Sequence, residues 1–200
     1  IFGDDAEDDP APGGDTLIGG QGNDTIYGYG GGDTLRGGGN SDTLEGGPGD
    51  DLIVGGKGAD DLRGDGGEDT LKGGGQGDIL DGGGGNDTIE GGGGRDTFFG
   101  SAGIDLIRGQ GGRDTLDLTG AKGRVTVDLG SRDFDGGGFG RNTVSSVEIV
   151  VGTGGRESLT GSGKDEELFG AGNRDTLDGA GGDDVLSGGG GADTVKGGAD

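Results

Sequence analysis

Gly19-Gly20-Gln21-Gly22-Asn23-Asp24-Thr25-Ile26-Tyr27 is one unit of the pattern that decides the fold. Gly55 to Arg63 and Gly82 to Glu90 repeat its layout, and the same nine-residue frame runs unbroken from Pro10 to Asp117, 12 units in 108 residues. A fixed period of this kind marks an array in which each unit packs only on its neighbours. Position 6 of every unit in this block is aspartate: Asp15, Asp24, Asp33, Asp42, Asp51, Asp60, Asp69, Asp78, Asp87, Asp96, Asp105 and Asp114. Position 8 is always apolar, from Leu17 and Ile26 through Phe98 to Ile107 and Leu116.

The frame resumes at Gly152 and runs through Lys196 in 5 units, with Leu159, Leu168, Leu177, Leu186 and Val195 at position 8. Position 6 there reads Glu157, Glu166, Asp175, Asp184 and Asp193, so two of the five have changed. Between the blocks, residues 118–151 break the period and balance four basic residues against four acids. Alternation in Val125 to Leu129 and the β-branched run Val144 to Val151 predict two strands around a Gly-rich loop in this non-repeat spacer. Residues 1–9 are acidic and out of frame, an irregular lead-in, and 197–200 open a further unit. With no leader ahead of Ile1, the chain reads as a piece of a longer protein.

Composition narrows the function. Among 200 residues, 62 are glycine and only 25% are hydrophobic, which excludes a thick globular core. The balance of 15 basic against 39 acidic residues, a charge of −24, argues against nucleic acid or an anionic membrane and for bound cations. No apolar run approaches the length of a membrane span, about 18 residues. The chain has no histidine and no cysteine, hence no His-Glu-x-x-His zinc site, no Ser-His-Asp triad and no thiol nucleophile. No Gly-Lys-Ser/Thr follows its many Gly-x-Gly spacings. The segment is therefore not read as an enzyme, and missing disulfides suit an extracellular chain stabilised by metal.

Glycine at positions 1, 2 and 4 lets six residues curl so that carbonyl oxygens face one point, and the position 6 carboxylate adds an anionic oxygen. Hard oxygen donors of this kind suit calcium, which takes six to eight; zinc and copper lack nitrogen or sulfur here, and magnesium wants a stricter octahedron. Residues 7 to 9 then form a short strand with position 8 inward. An Asx-type turn explains a single unit, but turns also accept Asn or Ser, and this block uses Asp throughout. An unstructured Gly-rich linker has no reason to keep position 8 apolar in all 17 units.

The layout Gly-Gly-x-Gly-x-Asp-x-U-x resembles the RTX, or haemolysin-type calcium-binding, repeat of secreted bacterial proteins, over about three quarters of the chain. Val125 to Leu129 and Ser145 to Gly152 are similar to spacers between such blocks. The resemblance implies an all-β, right-handed parallel β-roll with two stacked sheets and multiple Ca2+ ions between adjacent turns on one edge, drawing for example on Asp24 with Asp42. Glu157 and Glu166, one methylene longer, are expected to be weaker ligands than the aspartates, and up to about 13 ions are expected. The resemblance also implies type I export and calcium-driven folding outside the cell, as a C-terminal scaffold for parent-chain domains beyond this segment. The alternative is a structural or adhesive extracellular module that spaces or presents a binding domain.

Overall fold

The computed structural model describes residues 13–199; the acidic lead-in at 1–9, residues 10–12 and Asp200 lie outside the described residues. A β-favouring position 7 and an apolar position 8 extend each unit into a short strand, and the glycine turn redirects the chain. Thr16–Gln21, Thr34–Gly39, Leu52–Lys57, Thr70–Gly75, Thr88–Gly94 and Leu106–Gly112 stack in one parallel sheet. The intervening units, from Thr25–Tyr27 to Thr115–Asp117, stack in a second. Two units make one coil, so like positions sit 18 residues apart, Leu17 beside Leu35 and Leu44 beside Leu62. The whole is a β-solenoid of about ten coils. Among the described residues no helix is long and apolar enough to cross a membrane.

Position 8 side chains fill the space between the sheets, and Ile26, Leu62 and Phe98 are fully buried. Only about one side chain per unit enters this core, so it is thin and the two sheets lie close. Leu186 is half-buried and Val195 is 49% exposed, because among the described residues no coil stacks beyond them. Position 9 charges face outward and meet across coils, as Lys72 and Arg108 meet Glu90 at 3.5 and 3.2 Å. Such exposed pairs contribute at most about 1 kcal/mol each.

The spacer joins the stack instead of leaving it. Val125–Asp128 and Asp133–Gly136 form an antiparallel hairpin whose second strand also pairs antiparallel with Phe139–Ser145. Phe139–Ser145 lies parallel on Leu106–Gly112, and Val125–Asp128 lies parallel on Glu157–Thr160. This insertion is why one sheet has 12 strands and the other 9. Ile149–Val151 alone carries the second sheet across the spacer, with Val150 between Leu116 and Leu168. The expected single strand over 144–151 is thus divided, since Ser145 and Ile149 belong to different sheets. Counting back from Ser145, Gly137 to Ser145 restores the nine-residue frame, with Asn142 at position 6 and Val144 at position 8.

Candidate metal centre

Each position 6 aspartate from Asp33 onward divides its two oxygens. Oδ1 accepts the backbone N–H of the position 6 residue one coil earlier: Asp24 N to Asp42 Oδ1 is 2.8 Å, and Asp78 N to Asp96 Oδ1 is 2.9 Å. The carbonyl of that earlier residue in turn accepts a position 7 N–H, as from Thr43 to Asp24 at 2.9 Å. These two bonds fix the carboxylate's orientation, and Oδ2 is left facing the glycine turn. On Asp24, Asp42, Asp51, Asp60, Asp69, Asp78, Asp87, Asp96, Asp114, Asp175 and Asp184, Oδ2 is buried and meets no hydrogen-bond donor among the described residues. A buried carboxylate oxygen without a donor is costly, and a row of them calls for a cation.

Glycine opens the space in front of that oxygen. A Cβ on Gly19 would lie 2.5 Å from Asp24 Oδ2 and 2.8 Å from the carbonyl oxygen of Gly37, one coil on. The same pair of oxygens crowds Gly37 (from Asp42 and Gly55) and Gly64 (from Asp69 and Gly82). At position 4, Gly49 holds φ at +141°, and a Cβ there would run into the Gly31 carbonyl oxygen. Carboxylate oxygen from one coil and carbonyl oxygen from the next therefore converge across a gap that only glycine leaves open. No cluster of three or more acidic, histidine or cysteine side chains occurs among the described residues. The donor set is one carboxylate oxygen supplemented by backbone carbonyls, a hard, flexible set that fits calcium.

Burial in this row raises the carboxyl groups above their ordinary value of 3.8. Asp51, Asp87 and Asp114 are pushed up to about 6, and Asp69 and Asp78 to about 7. In each, burial dominates and the N–H bond to Oδ1 pulls back. Carboxylates on neighbouring coils add to the rise, as Asp87 and Asp51 do for Asp69. Burial also raises Asp60, Asp96, Asp105 and Glu157.

The fold brings the aspartates together in two rows, one on each edge. Asp24, Asp42, Asp60, Asp78, Asp96 and Asp114 form one; Asp15, Asp33, Asp51, Asp69, Asp87 and Asp105 form the other. Asp15, Asp24, Asp184 and Asp193, at the ends of the described rows, are less enclosed than the others. Both rows run on through residues that an all-aspartate pattern passes over. Asp105 N–H donates to Asn142 Oδ1 at 2.5 Å, and Asp114 N–H to Glu148 Oε2 at 3.1 Å. Glu148 O then accepts from Glu167 N at 2.8 Å, leading to Glu166 and Asp184, while Glu157 leads to Asp175 and Asp193. Admitting Asn at position 6 would have found Asn142, and extending the second block's frame back one unit, to 143–151, would have found Glu148.

At three turns a position 6 carboxylate already has a hydroxyl partner, although Glu157 Oε2 stays buried without one. Ser101 Oγ donates to Asp105 Oδ2 at 3.0 Å, Thr153 Oγ1 to Glu157 Oε1 at 2.7 Å, and Ser162 Oγ to Glu166 Oε1. All three hydroxyls stand at position 2, a position to which the nine-residue pattern assigns no ligand.

The RTX calcium-binding nonapeptide repeat matches residues 11–44, 36–71, 63–98, 72–107, 90–120, 151–186 and 169–200, covering both repeat blocks. Among curated proteins none matches the chain. The matched repeats bind calcium, and their number means many ions per chain.

Proposed function

Because the chain belongs to the family of RTX calcium-binding nonapeptide repeats, we propose that it is a calcium-operated folding module of a larger secreted bacterial protein. The observation that carries this reading is the row of buried Oδ2 atoms without a donor. Asp24, Asp42, Asp60, Asp78, Asp96 and Asp114 on one edge, and Asp51, Asp69 and Asp87 on the other, would hold the ions, followed by Asp175 and Asp184. Asp24, Asp42, Asp51, Asp60, Asp69, Asp78 and Asp184 act with the position 1 carbonyl one coil on, such as Gly37 for Asp24, and Asp114 with the Ser146 carbonyl. Calcium supplies positive charge there and ties successive coils together. The chain's own part is to aim the carboxylate through the Oδ1 bond and to keep the gap clear with glycine. Without the ion, the roll must bury carboxylates whose charged form is disfavoured, beside a core too thin to offset much ordering entropy. Folding is then linked to calcium, as in other small metal-dependent domains.

The family is generally found in secreted bacterial proteins, and its β-roll is a structural, non-catalytic module. Type I export followed by folding in calcium-rich surroundings is the context proposed for this chain. The blocks at 10–117 and 152–196 serve as two lengths of one scaffold joined by 118–151. Far-ultraviolet circular dichroism of the chain in chelator, then in millimolar calcium, tests the proposal. The expected result is a β-rich spectrum only with calcium; identical β-rich spectra in both overturn it.

A further inference from the structure

Position 2 separates two kinds of turn. Where it is not glycine, it still takes positive φ in most units: Tyr29 (71°), Asp65 (70°), Gln110 (72°), Ala171 (72°) and Ala180 (70°). Ser101, Thr153 and Ser162 do not take it. Their hydroxyls instead reach the position 6 carboxylate of the same turn; for Asp105 and Glu166 this leaves no oxygen without a donor, while Glu157 Oε2 remains bare. We propose that a serine at position 2 closes a turn to calcium, so that the turns of Asp105 and Glu166, whose two oxygens both have donors, fold around hydrogen bonds instead of an ion, whereas Glu157 keeps a bare Oε2 and stays open. This inference rests on the calcium reading of the other turns.

The groups facing inward support it. In the Thr153 turn, the Gly155 N–H donates to Thr153 Oγ1 at 2.7 Å, and that hydroxyl donates on to Glu157. In the Ser162 turn, the Ser162 N–H donates to Glu166 Oε2 at 3.1 Å while the hydroxyl takes Oε1. These turns direct N–H and O–H groups at the carboxylate, where the aspartate turns gather carbonyl oxygens. In the Ser162 turn this lining repels a cation and satisfies the anion by itself. Fixed cations stand close by: Lys164, at position 4 of the Ser162 turn, lies 3.8 Å from Glu148, and Arg113 lies 2.8 Å from Glu167.

These turns are not scattered. The Ser101 turn is the last before the spacer on its edge, and Asn142 follows Asp105 in that row. The Thr153 and Ser162 turns are the first two of the second block. The Ser101 turn on one edge and the Ser162 turn on the other, with the hairpin between, form an ion-free seam with calcium-binding tracts on either side. The seam lets the aperiodic strands join the stack without matching the spacing that a shared ion would demand.

Ion counts on the full calcium-loaded chain, by native mass spectrometry, test the proposal. Ser101→Ala should bind one ion more than the wild type, since Ala171 and Ala180 show that alanine accepts the open turn. Ser101→Gly, the commonest residue at position 2 in the other units, should do the same. Ala180→Ser adds only a hydroxyl within the Asp184 turn and should bind one ion fewer. Circular dichroism at saturating calcium confirms that the chains compared are folded. Equal, non-zero counts in all four chains overturn the proposal and leave the calcium reading standing; a common count of zero overturns both.

Discussion

Asp69→Asn exchanges one carboxylate oxygen for an amide nitrogen in the middle of one edge. Asparagine keeps Oδ1, so the N–H of Asp51, 2.8 Å away, keeps its acceptor. The change falls on Oδ2, buried without a donor and pointing toward Gly64 and the Gly82 carbonyl; an amide NH2 there donates to that carbonyl. In the calcium-free roll the wild-type carboxyl is raised from 3.8 to about 7 by burial. A raised folded value means that protonation stabilises the roll fully below about 3.8 and that this stabilisation is lost as pH rises through about 7. At pH 8 the ionised group therefore costs the calcium-free roll about 4 kcal/mol, which asparagine removes. One bound ion, at a hundred times its Kd, returns about 2.7 kcal/mol, which asparagine forfeits. Urea unfolding at a series of calcium concentrations separates the two effects. The slope of unfolding free energy against ln[Ca2+] should fall by one ion, while the value extrapolated to zero calcium should rise by up to about 4 kcal/mol. An Asx turn accepts asparagine as readily as aspartate. Identical slopes and intercepts would therefore show that Asp69 shapes a turn and holds no ion.

Acidification should act in opposite directions on the two forms. The raised groups of Asp51, Asp87, Asp114, Asp69 and Asp78 make the calcium-free chain more β-rich as pH falls from 8 to 5, while the calcium concentration needed for folding rises below about pH 7. Dichroism titrations at three pH values check both signs. Gly49→Ala forces a side chain to φ +141° and into the Gly31 carbonyl, costing about 1–3 kcal/mol or more. Gly93→Ala, with nothing within 4 Å of its Cβ, should change stability by less than about 0.5 kcal/mol in the same urea assay. Leu71→Ala opens a cavity in a one-residue layer and should cost about 2–5 kcal/mol, read as a higher calcium midpoint; an unchanged midpoint would remove Leu71 from the core.

The roll and its two rows were legible because each rests on a period. An apolar residue every nine positions can be buried only if like positions stack, and Leu17 beside Leu35 realises that arithmetic. Aspartate at position 6 was legible as chemistry, although its division of labour was not: pairing Asp24 with Asp42 did not show that Asp42 Oδ1 is held by the Asp24 N–H while Oδ2 stays without a donor. The spacer was harder to read because its partners are distant in sequence. Nothing local to Glu148 shows that it accepts the N–H of Asp114, 34 residues earlier. Antiparallel pairing of 125–128 with 133–136 was hidden for a similar reason, since alternation marks a strand without choosing its neighbour. The hydroxyls of Ser101, Thr153 and Ser162 escaped notice because serine and threonine are ordinary turn residues. Their importance lies in a backbone angle and a four-residue reach that composition does not display.

Calcium positions in a crystal of the loaded chain, found by anomalous scattering at long wavelength, test the central claim most directly. Peaks should run in a row along each edge, beside Oδ2 of Asp24, Asp42, Asp60 and Asp78 on one side and of Asp51, Asp69 and Asp87 on the other. None should appear beside Asp105 or Glu166. Peaks confined to exposed carboxylates such as Asp50 and Glu68, with the buried rows bare, would contradict it.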